Sequence, residues 1–154
     1  MMQIDLFNQD DTQLYTFSDM VWMLGYSYNE LGLHRQALYY LSAFQDSGSL
    51  KQRREFILAL VAVRDYRAYK TICDQLADAE NWLAQYAEHE DYDAVLDYYE
   101  HTLLRSFVQV CTERGVLSEA EIALWMLNEN EEDQDFVKEY TERIRKLREE
   151  ENNN

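Results

Sequence analysis

Proline is absent from the 154 residues of this chain, and glycine occurs only four times. These two residues interrupt helices most strongly, so their scarcity favours long helices joined by short turns. Sheet proteins of this size need many more turn-forming residues. The apolar fraction of 47% still supports a packed core. The sequence therefore predicts an all-α fold.

Basic side chains are also few. Lys and Arg number 14 against 30 Asp and Glu, which gives a formal net charge of -16. A surface of that sign repels phosphate backbones and anionic lipid, so neither nucleic acid nor a membrane surface is an expected partner. Basic or amphipathic polypeptides stay open as partners, and solubility alone would account for the same charge.

Long apolar runs are missing as well. The longest, residues 56–63, is too short to span a bilayer, and the N-terminal residues show no secretory signal. The two cysteines, Cys73 and Cys111, lie among apolar neighbours, which favours buried thiols over a disulfide framework. These features together predict a cytoplasmic protein.

Apolar residues at helical spacing predict a series of amphipathic helices. The first would be capped by Thr16 or Ser18, and its expected core stripe is Val21, Leu24, Tyr28 and Leu31. A later stripe is expected at Tyr69, Cys73 and Leu76, with Trp82 and Leu83 either in the same helix or in a separate one. Gly115 suits the residue just past a helix end. Ser118 and Glu121 form a capping-box pattern at the start of a helix that carries Ile122, Trp125 and Met126.

These patterns divide the chain into four parts. Residues 1–16 are a polar N-terminal lead-in, residues 17–131 a helical-repeat domain, residues 132–150 a C-terminal capping helix and residues 151–154 a disordered tail. The capping helix would bury Phe136, Tyr140, Ile144 and Leu147 on one stripe and expose charged pairs on its other faces.

A recognisable order of residue types occurs in the first two predicted helices, at Leu24, Gly25, Tyr28, Leu31, Gly32, Ala37, Leu41 and Phe44. This order resembles one full tetratricopeptide repeat, in which small residues let two helices approach and larger ones fill the groove beside them. A shift of 32 residues gives a second, weaker copy, and later copies lose the regular spacing. The resemblance implies an irregular, TPR-like alpha-alpha superhelix of antiparallel helix pairs.

In proteins similar to this family, the first helix of each pair lines a concave groove that holds a peptide. Carried over to this chain, the resemblance implies a partner-binding set of Asp19, Trp22, Tyr26, Asn29, Lys51, Arg54, Leu58 and Val61. Trp22 and Tyr26 lie four residues apart, outside the expected core stripe, and would serve as aromatic anchors. Alternatively, they pack under the N-terminal segment.

Six basic residues form an island inside this acidic protein, at Lys51, Arg53, Arg54, Arg64, Arg67 and Lys70. Such an island would clamp the carboxylates of a partner, with Arg54 able to form a bidentate pair. Alternatively, the island neutralises the acidic segment that follows it.

The motifs of common catalytic sites are absent from the sequence. One constellation could share a divalent metal if it lay on one helical face, namely His89, Asp93, Asp97 and His101. Because charges at four-residue spacing usually mark a solvated face, we predict no metal, no cofactor and no enzymatic activity.

The expected function is therefore a non-catalytic protein-protein interaction module, an adaptor, scaffold or chaperone that binds a peptide or amphipathic segment on its concave face. The alternative is a homodimerising structural module or a fragment of a larger repeat protein. This alternative is suggested by apolar surface at Phe7, Trp22 and Met23 without an evident N-terminal cap.

Overall fold

The computed structural model of the protein describes residues 16–45 and 48–153, and within those ranges every regular element is helical. The prediction of an all-α fold is confirmed to that extent. The lead-in predicted for residues 1–16 lies outside the described residues except for Thr16. No helix in the described ranges has both the length and the apolar composition that crossing a membrane requires. The chain divides into two compact units, Met1–Val63 and Arg64–Asn154.

The first unit contains three α-helices, α1 (Phe17–Glu30), α2 (His34–Leu41) and α3 (Leu50–Ala62), with a 3-10 turn at Ser42–Phe44. Of the two predicted caps for α1, Thr16 is the one used. Its hydroxyl accepts a hydrogen bond from the Asp19 amide (3.1 Å), and the Asp19 carboxylate accepts one from the Thr16 amide (3.0 Å). This reciprocal capping box fixes where α1 begins.

Small residues allow α1 and α2 to pack closely. A Cβ atom added to Gly25 would lie 2.6 Å from the Leu41 side chain, and Ala37 and Leu41 are fully buried. Gly32 joins the two helices with a φ of +79°, a left-handed conformation that costs glycine little. Gly25, Gly32 and Ala37 therefore act in this helix pair as the sequence predicted.

The core stripe predicted for α1 is wrong at Leu24 and Leu31, whereas Val21 and Tyr28 are half-buried. Leu24 is 43% exposed and Leu31 is 71% exposed, whereas the buried residues of this helix are Gly25 and Asn29. Apolar residues occur on nearly every face of α1, so their spacing alone did not identify the face that packs. Gly25 and Asn29 identify that face, because Gly25 permits close approach and Asn29 makes buried hydrogen bonds.

The second unit begins with α4 (Ala68–Gln85), which includes Trp82 and Leu83 and so continues as a single helix. A long helical stretch follows, made of α5 (Tyr92–Asp97), a π-helical segment (Tyr98–Leu104) and α6 (Arg105–Arg114). The chain ends with α7 (Leu117–Leu127), a 3-10 turn (Glu131–Asp133) and α8 (Gln134–Asn152). The fully buried side chains of this unit include Ile72, Leu103, Val108, Cys111, Leu127 and Ile144.

Three local predictions in the second unit need correction. On α4 the buried residues are Ala68, Ile72, Gln75 and Ala79, whereas the predicted stripe of Tyr69, Cys73 and Leu76 is only half-buried. The predicted capping box at Ser118 is absent, because α7 already begins at Leu117 and has no side-chain cap. On α7 the predicted apolar residues Ile122, Trp125 and Met126 are exposed, and Leu117, Ala120, Ala123, Leu124 and Leu127 are buried instead.

Other predictions agree with the structure. Gly115 ends α6 with a φ of +78°, as expected of a residue just past a helix end. Tyr140 and Ile144 are buried on α8 and Phe136 and Leu147 half-buried, which is the predicted stripe. The helix runs to Asn152, two residues into the segment predicted as a disordered tail. The division after Val63 falls between α3 and α4, the two helices that the second repeat copy would pair.

Candidate interaction surface

A buried polar network joins α1 to α3 in the first unit. The Asn29 side-chain amide donates to the Glu55 backbone carbonyl and to the Glu55 carboxylate, both at 3.0 Å. The Asn29 carbonyl oxygen accepts a hydrogen bond from His34 Nδ1 at 3.0 Å. Buried polar groups need such partners, so this network specifies how the two helices meet. Asn29, predicted to contact a partner, is a structural residue of this surface.

An aromatic cluster lies on α1 beside that network. The Trp22 ring centroid is 5.4 Å from that of Tyr26 and 6.2 Å from that of Phe44, which is buried. Trp22 is half-buried against Phe44, while Tyr26 is more exposed. Trp22, Tyr26 and Asn29 follow one another at spacings of four and three residues, so they share one face of α1. The aromatic pair thus borders the line along which α1 meets α3.

Basic residues of α3 lie on the same unit. Arg54 Nη1 is 4.0 Å from Glu55 Oε2, which places Arg54 and Asn29 around one carboxylate. Lys51 is exposed and forms no ion pair with any residue in the described ranges. Leu58 and Val61 are half-buried on the same helix. Asp19, the remaining predicted residue, is exposed, with its carboxylate held in the helix cap.

The opposite edge of α1 carries apolar side chains that the sequence analysis assigned to the core or left unassigned. Phe17, Met20, Leu24 and Leu31 are all exposed, at spacings of three, four and seven residues. That spacing places them along one stripe of the helix. We call these four residues the α1 stripe. Stripes of this kind are uncommon on monomeric proteins and often mark an interface.

The predicted basic island is divided between the two units. Lys51, Arg53 and Arg54 belong to the first unit, whereas Arg64, Arg67 and Lys70 belong to the second. The latter three pair with carboxylates of the second unit, none of them in the acidic segment at residues 76–100: Arg64 with Glu113 at 2.7 Å, Arg67 with Asp65 at 2.9 Å and Lys70 with Asp74 at 2.8 Å. Of this island, Lys51 and Arg54 are exposed on α3 and remain candidates for contacting a partner's carboxylate.

Comparison with known proteins identifies no relative that would help to interpret these surfaces. No protein-family model, curated protein or solved structure matches the chain. The resemblance to tetratricopeptide repeats rests on the residues quoted above.

Neither cysteine is poised as a nucleophile. Burial raises the pKa of Cys111 to about 12 and is also the main cause that raises the pKa of Cys73. With raised pKa values, both thiols are protonated at neutral pH. Because the thiolate is the reactive form, neither cysteine is activated for nucleophilic attack. Nearby, Tyr69 donates a hydrogen bond to Glu119 at 2.9 Å, and this bond is the main cause that raises the pKa of Tyr69 to about 12. The Tyr69 hydroxyl is therefore a neutral hydrogen-bond donor at neutral pH.

The four-residue constellation considered for metal does not assemble. His89 lies in the turn before α5, where its ring accepts a hydrogen bond from the Asp91 amide (3.0 Å). His101, in the π-helical segment, does meet Asp97, with 2.8 Å between Nδ1 and Oδ1. Two carboxylates that the sequence analysis did not consider, Glu132 and Asp133, lie on the other side of this ring. They come from a turn about 30 residues away in sequence, beyond the reach of any helical-spacing rule.

Proposed function

We propose that the protein is a non-catalytic interaction module that binds a peptide segment on the surface formed by α1 and α3. The observation that carries this proposal is the packing of α1, a helix of 14 residues that buries only Gly25 and Asn29. Several of its aromatic and aliphatic side chains are exposed and left for other contacts, namely Phe17, Met20, Met23, Leu24 and Tyr26. Large aromatic side chains at a partly buried position are typical anchors of protein interfaces.

Charge indicates the chemistry of the peptide. Lys51 and Arg54 are exposed on α3, and the aromatic pair lies on α1 of the same unit, in a protein that is otherwise strongly acidic. A peptide with an apolar or aromatic side chain for Trp22 and Tyr26, and with a carboxylate for Arg54, would complement this surface. We therefore propose an acidic amphipathic segment as the ligand.

The test is a peptide-display selection on the full chain, followed by fluorescence anisotropy with the enriched peptides. We expect these peptides to combine acidic with aromatic or leucine residues. Arg54→Glu, at an exposed position, and the double variant Trp22→Ala, Arg54→Glu should weaken their binding by about tenfold or more, since truncating an interface anchor typically costs 2 kcal/mol or more.

The matched control is Tyr39→Ala, Arg35→Glu, which removes an exposed aromatic and reverses an exposed arginine on α2 of the same unit. It should bind the peptides as the unmodified chain does, and circular dichroism should show that all variants are folded. A selection without enrichment, or peptides that bind the Arg54→Glu variant and the control equally, would refute the proposed surface.

The α1 stripe favours a second candidate function, homodimerisation through α1. Two such helices from two copies would bury their stripes against each other at coiled-coil spacing. Sedimentation equilibrium at micromolar concentration should then give a dimer, and Leu24→Glu should convert it to a monomer. Ile122→Glu changes an exposed apolar residue on α7 and should leave the dimer intact. A monomer in the unmodified chain would exclude this candidate.

A further inference from the structure

His101 lies between carboxylates that approach both nitrogen atoms of its ring. Nδ1 is 2.8 Å from Asp97 Oδ1, one helical turn earlier. Nε2 is 3.1 Å from Glu132 Oε1 and 3.2 Å from Asp133 Oδ2, both in the 3-10 turn that precedes α8. Ligand atoms of His101, Glu132 and Asp133 all lie within 4.8 Å of one another. One imidazole nitrogen and two carboxylate oxygens are therefore close enough together to share one ion.

The spacing of these atoms suits a coordination polyhedron. Zinc bonds to histidine nitrogen and carboxylate oxygen are about 2.0–2.2 Å long, so neighbouring ligand atoms lie about 2.8–3.6 Å apart at octahedral or tetrahedral angles. The two distances from Nε2 fall in that range. A mixed set of imidazole and carboxylate ligands suits zinc and similar first-row metals and is a poor match for calcium or magnesium, which prefer oxygen alone.

Residues around the cluster orient two of its three ligands. Arg105 donates to Asp133 Oδ1 from Nε at 2.7 Å and from Nη2 at 2.5 Å, and Asn130 donates to Asp133 Oδ2 at 3.0 Å. Asp97 holds the far side of the His101 ring. Metal-ligating histidines almost always donate their other N–H to such an acceptor, and ligating carboxylates are themselves hydrogen-bonded.

The remaining sides of the cluster are accessible. The side chain of Asp133 is fully buried, that of His101 is 24% exposed and that of Glu132 is 68% exposed. An ion would therefore reach the three atoms from the Glu132 side and keep water in its open positions. The surrounding unit holds 23 of the 30 acidic side chains of the chain and 10 of the 14 basic ones, a field that attracts cations.

We infer that His101, Glu132 and Asp133 form a site for a divalent transition-metal ion of the zinc type. Asp97, Arg105 and Asn130 are its positioning residues. The ion takes the place of the single Nε2 proton, which faces both carboxylates, and it fastens the start of α8 to the π-helical segment. A π-helical turn is often found at a functional site, and here it presents His101 to the turn before α8. The site is independent of the α1–α3 surface.

Zinc titration of the chelator-treated full chain by isothermal calorimetry tests this site at pH 7.5. We expect one zinc ion per chain and a higher melting temperature with zinc, because an ion bound only by the folded state stabilises it. Glu132→Gln should weaken binding roughly tenfold or more, by analogy with the loss when supporting residues of metal sites are changed. Its matched control is Glu131→Gln, which removes the same charge from the preceding, exposed residue.

Nitrogen NMR of the three histidines identifies the ligand. Zinc should shift Nε2 of His101 and leave His34 unchanged. Equal weakening by Glu131→Gln and Glu132→Gln would show general attraction of cations to an acidic surface, and would overturn the site. So would an unshifted His101, or the absence of a binding heat, since the cluster would then be a hydrogen-bonded ion-pair network alone.

Discussion

Arg105→Met should destabilise the second unit by about 3 kcal/mol, because it leaves the buried carboxylate of Asp133 without its cation. Asp133 has no exposed side-chain surface, and among the residues that the structure describes its charged contacts are the two Arg105 hydrogen bonds to Oδ1 and the His101 ring. Methionine keeps most of the length and apolar character of the arginine stem. We place the loss at the lower end of the range for broken buried pairs because Arg105 is one-third exposed.

The measurement is urea unfolding with a metal chelator present, with amide hydrogen exchange to assign the loss to a unit. Peptides from residues 98–144 should exchange faster in Arg105→Met, and peptides from residues 34–62 should not. Arg148→Met is the control, since Arg148 pairs with Glu121 at the surface, where an ion pair contributes at most about 1 kcal/mol.

A double variant separates lost charge pairing from lost packing. In Arg105→Met, Asp133→Asn the buried group is neutral and nearly the same shape, so part of the stability should return. Arg105 also lies 5.0 Å from the ring centroid of Phe136, and any loss of that contact remains in both variants. If Arg105→Met cost no more than Arg148→Met, the cluster would not hold the start of α8 in place.

Composition and local signals predicted much of the helical framework. The absence of proline, the caps and the glycines at turns are local effects, and they identified the all-α class, the turn at Gly32 and the end of α6 at Gly115. The same reasoning failed where one signal had two interpretations. At residues 115–121, Ser118 looks like a cap, but α7 has already begun at Leu117, directly after the turn that ends α6, in which the Val116 amide donates to the Cys111 carbonyl at 2.8 Å.

Helix faces were harder to predict than helices. On α1 and α7 apolar residues are so frequent that several stripes compete, and the buried stripe is the one with small residues, Gly25 on α1 and Ala120 and Ala123 on α7. Small residues permit close approach, whereas Leu24 and Trp125 would hold the helices apart. Trp125 is consequently 75% exposed and borders a cavity of about 270 Å³ between α7 and α8.

Contacts between distant residues left no trace in the sequence patterns. Asn29 was predicted to contact a partner from its position in a helical repeat, but its amide is taken up by Glu55, 26 residues later. Asp133 was not considered at all, because no helical spacing relates it to His101 or Arg105. Only the fold brings His101 and Arg105 to it. Polar residues that bind each other across elements are thus the part of this site that helical spacing does not predict.

Gly25→Val should destabilise the first unit by about 2–3 kcal/mol, because a side chain at this position would occupy the place of Leu41. The nearest Leu41 atoms lie 2.6 Å from the position of a Cβ, and Leu41 is fully buried among core residues, so it has no room to move aside. Overpacking outweighs the gain in helix propensity on replacing glycine, which is at most about 1 kcal/mol. Hydrogen exchange should locate the loss in α1 and α2.

The control is Ser27→Val, which introduces the same residue at an exposed position of α1 and should change the free energy of unfolding by less than about 0.5 kcal/mol. A compensating variant gives the stronger test. Leu41→Ala alone should be destabilising through the cavity it creates, by about 2–5 kcal/mol. Combined with Gly25→Val it should cost clearly less than the sum of the two single changes, because the new side chain then enters the vacated space. Strict additivity would mean that Gly25 and Leu41 do not share that space, and that α1 packs on α2 through another face.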